Sequence, residues 1–382
     1  MGRPSGQPTF HLSVWNFLRH RVTLPLKERT DYDFKQVLNM KFLRRKAGAE
    51  RFLIIQLRQL GDVVLTTALA RILKEERPGC FVGFLTEEPS YELLKGSPYI
   101  DELYLHRRKD SFFNEAKLIF KLRKRRFNAV FDTMSNPTSA IITYLTGAPR
   151  RIGYDTTIRR SAYTDAVPRS DGYVVDVKRT LLERYGIKSE WNRPELFLSE
   201  EEKSWAEEIK RTLAANAGTT RLFTIDATHK HRYRRWTIDG YAELSKMLSS
   251  RYDAAPLALW GPGEEWVVKE LAEKSGGAVA VAPQTTVRKM AALIEAADFH
   301  IGNCSAPRHI AVAVGTPTFI IPGTSQISWL HPDEEHDIDP FAPPCAECGN
   351  KCGGDERKCM LERTAEEIAP YAYRWGDKLF GN

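Results

Sequence analysis

Asp62 is the first residue of this chain whose type and place could do chemistry. It lies in FLIIQLRQLGDVVLTTALARILKEE, residues 52–76, directly after Gly61 and just past an apolar run. A carboxylate so placed can take a proton from a hydroxyl as a general base. It can also do no more than cap the following helix, since aspartate is a favoured cap residue. A second group is ATHKHRYRRW, residues 227–236, which supplies Lys230, Arg232, Arg234 and Arg235. Guanidinium forks match the oxygens of a phosphate. In WGPGEEW, residues 260–266, a glycine turn at a helix start leaves amides free for an anion. Glu264 within it suits a ribose hydroxyl or, equally, a helix cap. The stretch GNCSAPRHIAVAVGTPT, residues 302–318, has small residues that let backbone amides approach a ligand, with His309 in the next helix. A lone histidine is more often structural, so His309 takes its meaning from the motif around it.

The cysteines are a separate set. CAECGNKCGGDERKC places Cys345, Cys348, Cys352 and Cys359 close together. Four thiolates suit a structural zinc with tetrahedral geometry; reduced free thiols and disulfides are the alternatives. Asp337-Ile338-Asp339 spells a metal-binding DxD, but its Pro-rich surroundings near the end of the chain give it little support.

These residues need elements to hold them. Phe52 to Leu57 is a short bounded apolar run, as expected of a buried strand. Past Gly61 and Asp62, the residues Val64, Leu65, Ala68, Leu69, Ile72 and Leu73 recur at helical spacing. Strand, glycine turn and helix make the first half of a βαβ unit, and ligands of open α/β sheets sit at the carboxyl ends of such strands. The alternation continues to about Gly186, with strands expected at 80–86, 100–105 and 128–132 and helices at 91–95 and 116–126. A junction follows, 185–222, containing the charged helix SEEEKSWAEEIKRTLAAN. A second alternating set begins with the strand 222–227. Its next members are the helix GYAELSKML, the strand 257–261, the strand AVAVA and the helix TVRKMAALIEAA. DFHIGN, PRHIAVAVG and TFIIPG complete it. The chain therefore reads as α/β, with two Rossmann-like domains whose parallel sheets face each other across a cleft. The expected division is an extension at 1–50, a first domain at 51–190, a junction at 191–220, a second domain at 221–363 and a helix at 364–382. The cysteine-rich loop 345–359 belongs to the second domain. The last helix, Thr364 to Lys378, is expected to cross back to the first half.

At 382 residues, two domains is the natural division. A formal charge of +7 suggests an acidic partner. No apolar run approaches the ~20 residues that span a bilayer, and the start of the chain lacks the pattern of a signal peptide. Six cysteines without such a signal point to a reducing cytoplasm. The N-terminal segment FHLSVWNFLRHRV reads either as a basic amphipathic stretch on an anionic membrane or as an arm packed on the protein. Lys121, Arg123, Lys124, Arg125 and Arg126 form a cluster suited to a phosphorylated substrate or lipid headgroups, or simply a solvated helix face. Nucleic acid is not an expected partner. The interleaved aromatics of single-strand binders and the spacings of transcription factors are both missing.

Five stretches together resemble glycosyltransferase family nine, the lipopolysaccharide heptosyltransferases. They are LRQLGDVVLTTALARIL, RRIGY at 150–154, YVVDVKRTLLERYG at 173–186, RRWTIDGYAEL and GNCSAPRHIAVAVGTPT. The resemblance covers the chain from Arg51 onward and leaves the extension outside. It implies a GT-B fold and inverting transfer of heptose from ADP-heptose to a phosphorylated, lipid-linked glycan acceptor. Such an acceptor would be met at the cytoplasmic face of the inner membrane. By resemblance Asp62 is the general base, and Arg234, in place of the family's lysine, neutralises the departing diphosphate. Thr228, Glu264, Ser305, Ala306 and His309 take donor-binding positions, and Arg58 is a candidate contact for an acceptor phosphate. No metal is required for catalysis. One departure stands out: the family's Asp-Ser-Gly or Asp-Thr-Gly triplet is here Cys304, Ser305, Ala306. That puts the donor's identity in question and leaves a non-catalytic sugar-nucleotide or glycan-binding homologue as the alternative.

Overall fold

In a computed structural model of the chain, the described residues are 49–155, 159–229, 234–321, 327–332, 336–338 and 358–381. The chain divides into two compact units, Met1–Ala49 and Glu50–Asn382. The amphipathic stretch within the first unit lies outside the described residues, as do Lys230, Arg232, Cys345, Cys348 and Cys352; of Cys359 only the backbone is described.

The described residues of the second unit hold two six-stranded sheets. The first comprises β1 (Arg51–Ile55), β2 (Phe81–Thr86), β3 (Glu102–Leu105), β4 (Ala129–Asp132), β5 (Arg150–Tyr154) and β6 (Asp165–Val167), in the order β3-β2-β1-β4-β5-β6. The second comprises β7 (Arg221–Asp226), β8 (Ala254–Ala258), β9 (Ala280–Val281), β10 (Phe299–Asn303), β11 (Thr318–Ile321) and β12 (His336–Ile338), in the order β12-β11-β10-β7-β8-β9. Every pairing is parallel. Counted from its own first strand, each sheet has the same doubly wound order. Each therefore has a switch point, between β1 and β4 in one and between β7 and β10 in the other. Crevices at such points are where open α/β sheets bind ligands.

The helices are α1 (Leu60–Glu76), α2 (Ser90–Leu93), α3 (Phe112–Arg125), α4 (Pro137–Leu145), α5 (Val174–Tyr185), α6 (Glu200–Asn216), α7 (Ile238–Tyr252), α8 (Glu265–Lys274), α9 (Val287–Ala296), α10 (Ala306–Val314), α11 (Lys358–Leu361) and α12 (Ala365–Phe380). The central strands are buried on both faces, so they read as continuous apolar runs rather than alternating ones. The largest hydrophobic cluster runs through both halves, joining Phe52, Ile54 and Leu69 to Leu257, Leu293 and Ile310. Two helix pairs carry it across: α10 packs on α1, and α9, which also packs on α6, meets α2. At the first crossing the backbone of Gly61 comes so close to the His309 ring that an added Cβ would stand 2.6 Å from Cδ2.

Three elements differ from the sequence expectation. The strand expected at 257–261 is Ala254–Ala258. The apolar run from Ala254 to Trp260 carries no residue marking where the ladder stops. The helix expected from 116 starts at Phe112, because Ser111 caps it by accepting from the Asn114 amide. The last helix packs on the second half instead of crossing back to the first. Trp375 meets Phe299 and Phe319 there, and Arg251 pairs with Asp377 at 2.7 Å.

Candidate functional site

A cavity of ≈ 570 Å³ opens between the carboxyl edges of the two sheets. From the first half it is lined by Gln59, Leu60, Gly61, Asp62 and Pro89. The second half supplies the loops after β7, β8 and β10. All of these loops leave strands at their carboxyl ends, as the doubly wound topology requires of a binding crevice.

Asp62 sits in the first turn of α1, where the helix dipole favours a negative charge. It is not the cap. Gln59 holds that position, and no side chain caps the helix. The carboxylate is 24% exposed, so it is open to a ligand, and Lys178 Nζ lies 3.5 Å from its Oδ1. Lys178 comes from α5 and is buried. It donates to the Asp62 carbonyl at 2.9 Å and to Thr66 Oγ1 at 2.8 Å. Burial pulls the ammonium pKa down, while the charge of Asp62 opposes that shift.

On the opposite wall, Asp226 ends β7 and is buried at the cavity floor. Its Oδ1 accepts from the Thr228 amide at 3.0 Å and from Thr228 Oγ1 at 2.9 Å. Its Oδ2 accepts from Ser305 Oγ. Burial raises its pKa to about 6 against the opposing pull of these donors. Ser305, at the cap position of α10, donates to Asp226 and accepts from no amide of the helix, so the N-terminus of α10 has no side-chain cap. The cavity is thus faced by two uncapped helix N-termini, one from each half, and such termini attract anions. Arg234 lines the same space.

Among the other expected donor positions, Thr228, Glu264, Ser305, Ala306 and His309 all line the cavity. Glu264 turns back to accept from the Gly261 amide at 3.2 Å. His309 is buried against Gly61, and burial beside Arg308 and Lys178 pushes its pKa well below the usual value, so the ring is neutral. Cys304 also lines the cavity and is a free thiol. Arg58 is exposed and is not among the lining residues. No group of metal-ligating side chains occurs among the described residues, and the cysteine cluster lies outside them.

The sequence reading missed three features. Lys178 was discernible as a single lysine on a helix face otherwise made by Val174, Val175, Leu181 and Leu182. Asp226 was discernible as the carboxylate ending the apolar strand LFTID. The third is an apolar subsite of Leu259, Trp260, Val287 and Met290, edged by Thr285 and Thr286. Trp260 is fixed there by donating Nε1–H to the Ala282 carbonyl at 2.7 Å. No local pattern marks this group, because its members come from the loop after β8 and from the first turn of α9.

Two parallel Rossmann-like sheets facing across a shared cavity are the GT-B arrangement. Residues 116–333 match glycosyltransferase family 9 (heptosyltransferase). The chain belongs to that family and is a glycosyltransferase. It is 27% identical over 284 residues to lipopolysaccharide heptosyltransferase 3 of Escherichia coli, spanning 70% of this chain and 82% of the relative. A solved family 9 glycosyltransferase from Veillonella parvula superposes with a TM-score of 0.76 at 19% identity, covering 87% of this chain and 98% of that one. The E. coli heptosyltransferase WaaC with ADP-2-deoxy-2-fluoro heptose gives 0.65 at 19% identity, covering 85% and 99%.

Proposed function

We propose that this protein is an inverting glycosyltransferase that moves a heptose, or a related sugar, from an ADP-heptose-type donor to a lipopolysaccharide core or related lipid-linked glycan. The observation that carries this reading is the disposition of charge across the cavity. Asp62 stands on the wall of the first half, and Arg234 with the uncapped α10 N-terminus stands on the second. In the reaction, Asp62 takes the proton of the acceptor hydroxyl as its oxygen bonds to the anomeric carbon. The bond from that carbon to the diphosphate breaks with its electron pair going to the leaving ADP. Arg234 and the α10 amides hold the negative charge that builds there. The adenine of the donor lies in the apolar subsite beside Trp260, and Asp226 with Glu264 offers acceptors to sugar hydroxyls. Relatives named as lipopolysaccharide heptosyltransferases support this donor and acceptor. The steps above use no metal. A structural zinc at Cys345, Cys348, Cys352 and Cys359 rests on their spacing alone.

The test is melting of the purified protein with ADP, UDP, GDP and CMP at matched concentrations. A ligand at 100 times its dissociation constant adds ~2.7 kcal/mol. Selective stabilisation by ADP is expected, followed by transfer from ADP-heptose. A preference for UDP or GDP moves the donor assignment to another nucleotide. Stabilisation without turnover on any acceptor points to a binding homologue.

A further inference from the structure

Helix α3 carries a face that the described structure leaves uncovered. Its inner side is set by Leu118, Ile119 and Leu122, which pack with Leu53, Tyr104 and Phe127 against the first sheet. At roughly 100° per residue, the direction opposite that side is taken by Phe113, Lys117, Phe120 and Lys124. Phe113 is 73% exposed, Phe120 70% and Phe112 54%. Single exposed apolar side chains are ordinary, but Phe113 and Phe120 share one surface of one helix, and the Phe112 ring touches that of Phe113 from the side.

The charges on this helix divide in an informative way. Lys121 and Arg125 both pair with Glu102 of β3, at 2.8 and 2.5 Å. Arg123 donates to the Leu145 carbonyl at 3.1 Å. Lys117 and Lys124 make no ion pair among the described residues, and these are the two cations in the outward row. The row therefore alternates Phe, Lys, Phe, Lys, and Glu115 is the only acid in the helix. Water gives such a row no partner for its rings. The boundary of an anionic bilayer does: rings enter between headgroups and acyl chains while ammonium groups stay with the phosphates.

The placement is also suitable. The loop into α3 leaves the carboxyl end of β3, and the Gln59–Asp62 turn leaves the carboxyl end of β1 in the same parallel sheet. The N-terminal end of α3 is therefore at the sheet edge on which the cavity opens.

We propose that Phe113, Lys117, Phe120 and Lys124, with Phe112 beside them, form a docking face for an anionic lipid bilayer. The face would bring a bilayer-anchored acceptor to the mouth of the cavity. That consequence rests on the function proposed above; the docking face itself does not.

The experiment is co-sedimentation of the full chain with vesicles of equal parts phosphatidylglycerol and phosphatidylcholine, against vesicles of phosphatidylcholine alone. Binding to the anionic vesicles that weakens with salt is expected. Phe113→Glu with Phe120→Glu reduces it on the order of tenfold or more, and Lys117→Gln or Lys124→Gln about fivefold each. All these positions are exposed, so the variants should melt with the wild type and keep its response to ADP. Three results overturn the proposal. One is a wild type that ignores anionic vesicles. Another is a double phenylalanine variant that binds as the wild type does, which would move the contact elsewhere, for example to residues 1–49. The third is a wild type that self-associates through this face without binding vesicles. If the transferase reading alone fails, transfer is absent from every acceptor while the vesicle result stands.

Discussion

The ammonium of Lys178 lies 3.5 Å from the Asp62 carboxylate and donates to the same residue's carbonyl at 2.9 Å. A buried cation thus holds both the backbone and the charge of the residue proposed as general base. Asp62 is the more exposed of the two, so a ligand reaches the carboxylate without displacing the lysine. Replacing Asp62 by asparagine keeps the shape and removes the base. Turnover should fall ~10²- to 10⁴-fold, while ADP still raises the melting temperature. Turnover at the wild-type level would reject the assignment.

Lys178→Met tests the lysine as a positioning residue. The titratable groups near it are Asp62, Arg169 and His309, of which the last is neutral. Without the ammonium, Asp62 loses the group that holds both its carboxylate and its carbonyl in place. Turnover should therefore suffer more than binding, with kcat falling by roughly tenfold, worth about 1.4 kcal/mol. The KM for the donor should stay near that of the wild type. An unchanged kcat with reduced stability would leave Lys178 a purely structural role.

How much of this site the sequence discloses depends on whether a residue's partners are local. Gly61-Asp62 and the Ser305–His309 turn follow strands directly, so periodicity alone places them at a carboxyl edge. Lys178 reaches Asp62 across 116 residues, and only a charge on an apolar helix face hints at it. Asp226 and Ser305 are 79 residues apart and meet because β7 and β10 are neighbours in the sheet. That adjacency comes from the strand order, which alternating elements do not specify. It also bears on Cys304, the position at which the family resemblance leads one to expect an acid. A carboxylate is still present at that end of the sheet, on the adjoining strand at Asp226.

Asp226 makes stability depend on pH. Burial raises its folded-state pKa to about 6, from an ordinary 3.8. The folded protein therefore keeps a proton that the unfolded chain gives up between those values, and stability falls as pH rises through that window. Above pH 6 the cost is on the order of 3 kcal/mol. Asp226→Asn should remove the slope, so that the variant gains on the wild type between pH 4 and pH 7 in melting experiments. Parallel curves would show that the carboxylate is not held in its neutral form.

Gly61 has no room for a side chain. An alanine Cβ would lie 2.6 Å from His309 Cδ2, and that ring is buried between α1 and α10. Overpacking of this kind costs about 1–3 kcal/mol, set against a gain of about 1 kcal/mol in helix propensity. Gly61→Ala should lower the melting temperature and weaken ADP binding, since α10 must shift. Gly61→Ala with His309→Ala should recover part of the stability. If Gly61→Ala alone melts with the wild type, the two helices are not closely packed there.

Arg288 is the polar counterpart of that crossing. From α9 its guanidinium binds both oxygens of Glu202 on α6, at 2.6 and 2.7 Å. It also donates to the carbonyls of Leu93, Lys95 and Phe197, at 3.1, 2.8 and 3.0 Å. One side chain of the second half thus ties down the junction and the segment after α2. Arg288→Ala leaves these acceptors without their donor and should cost about 2–4 kcal/mol, since charge-assisted bonds in partly solvated surroundings are involved. Arg288→Lys should recover only part, because an ammonium lacks the fork. Arg288 is the main cause of the low pKa of Glu202, about 2 against an ordinary 4.5. The stabilisation is therefore complete above pH 4.5 and lost as pH falls toward 2. The gap in melting temperature between wild type and Arg288→Ala should narrow through that window. A gap of constant size would mean that the carbonyl contacts, not the Glu202 pair, supply the stabilisation from Arg288.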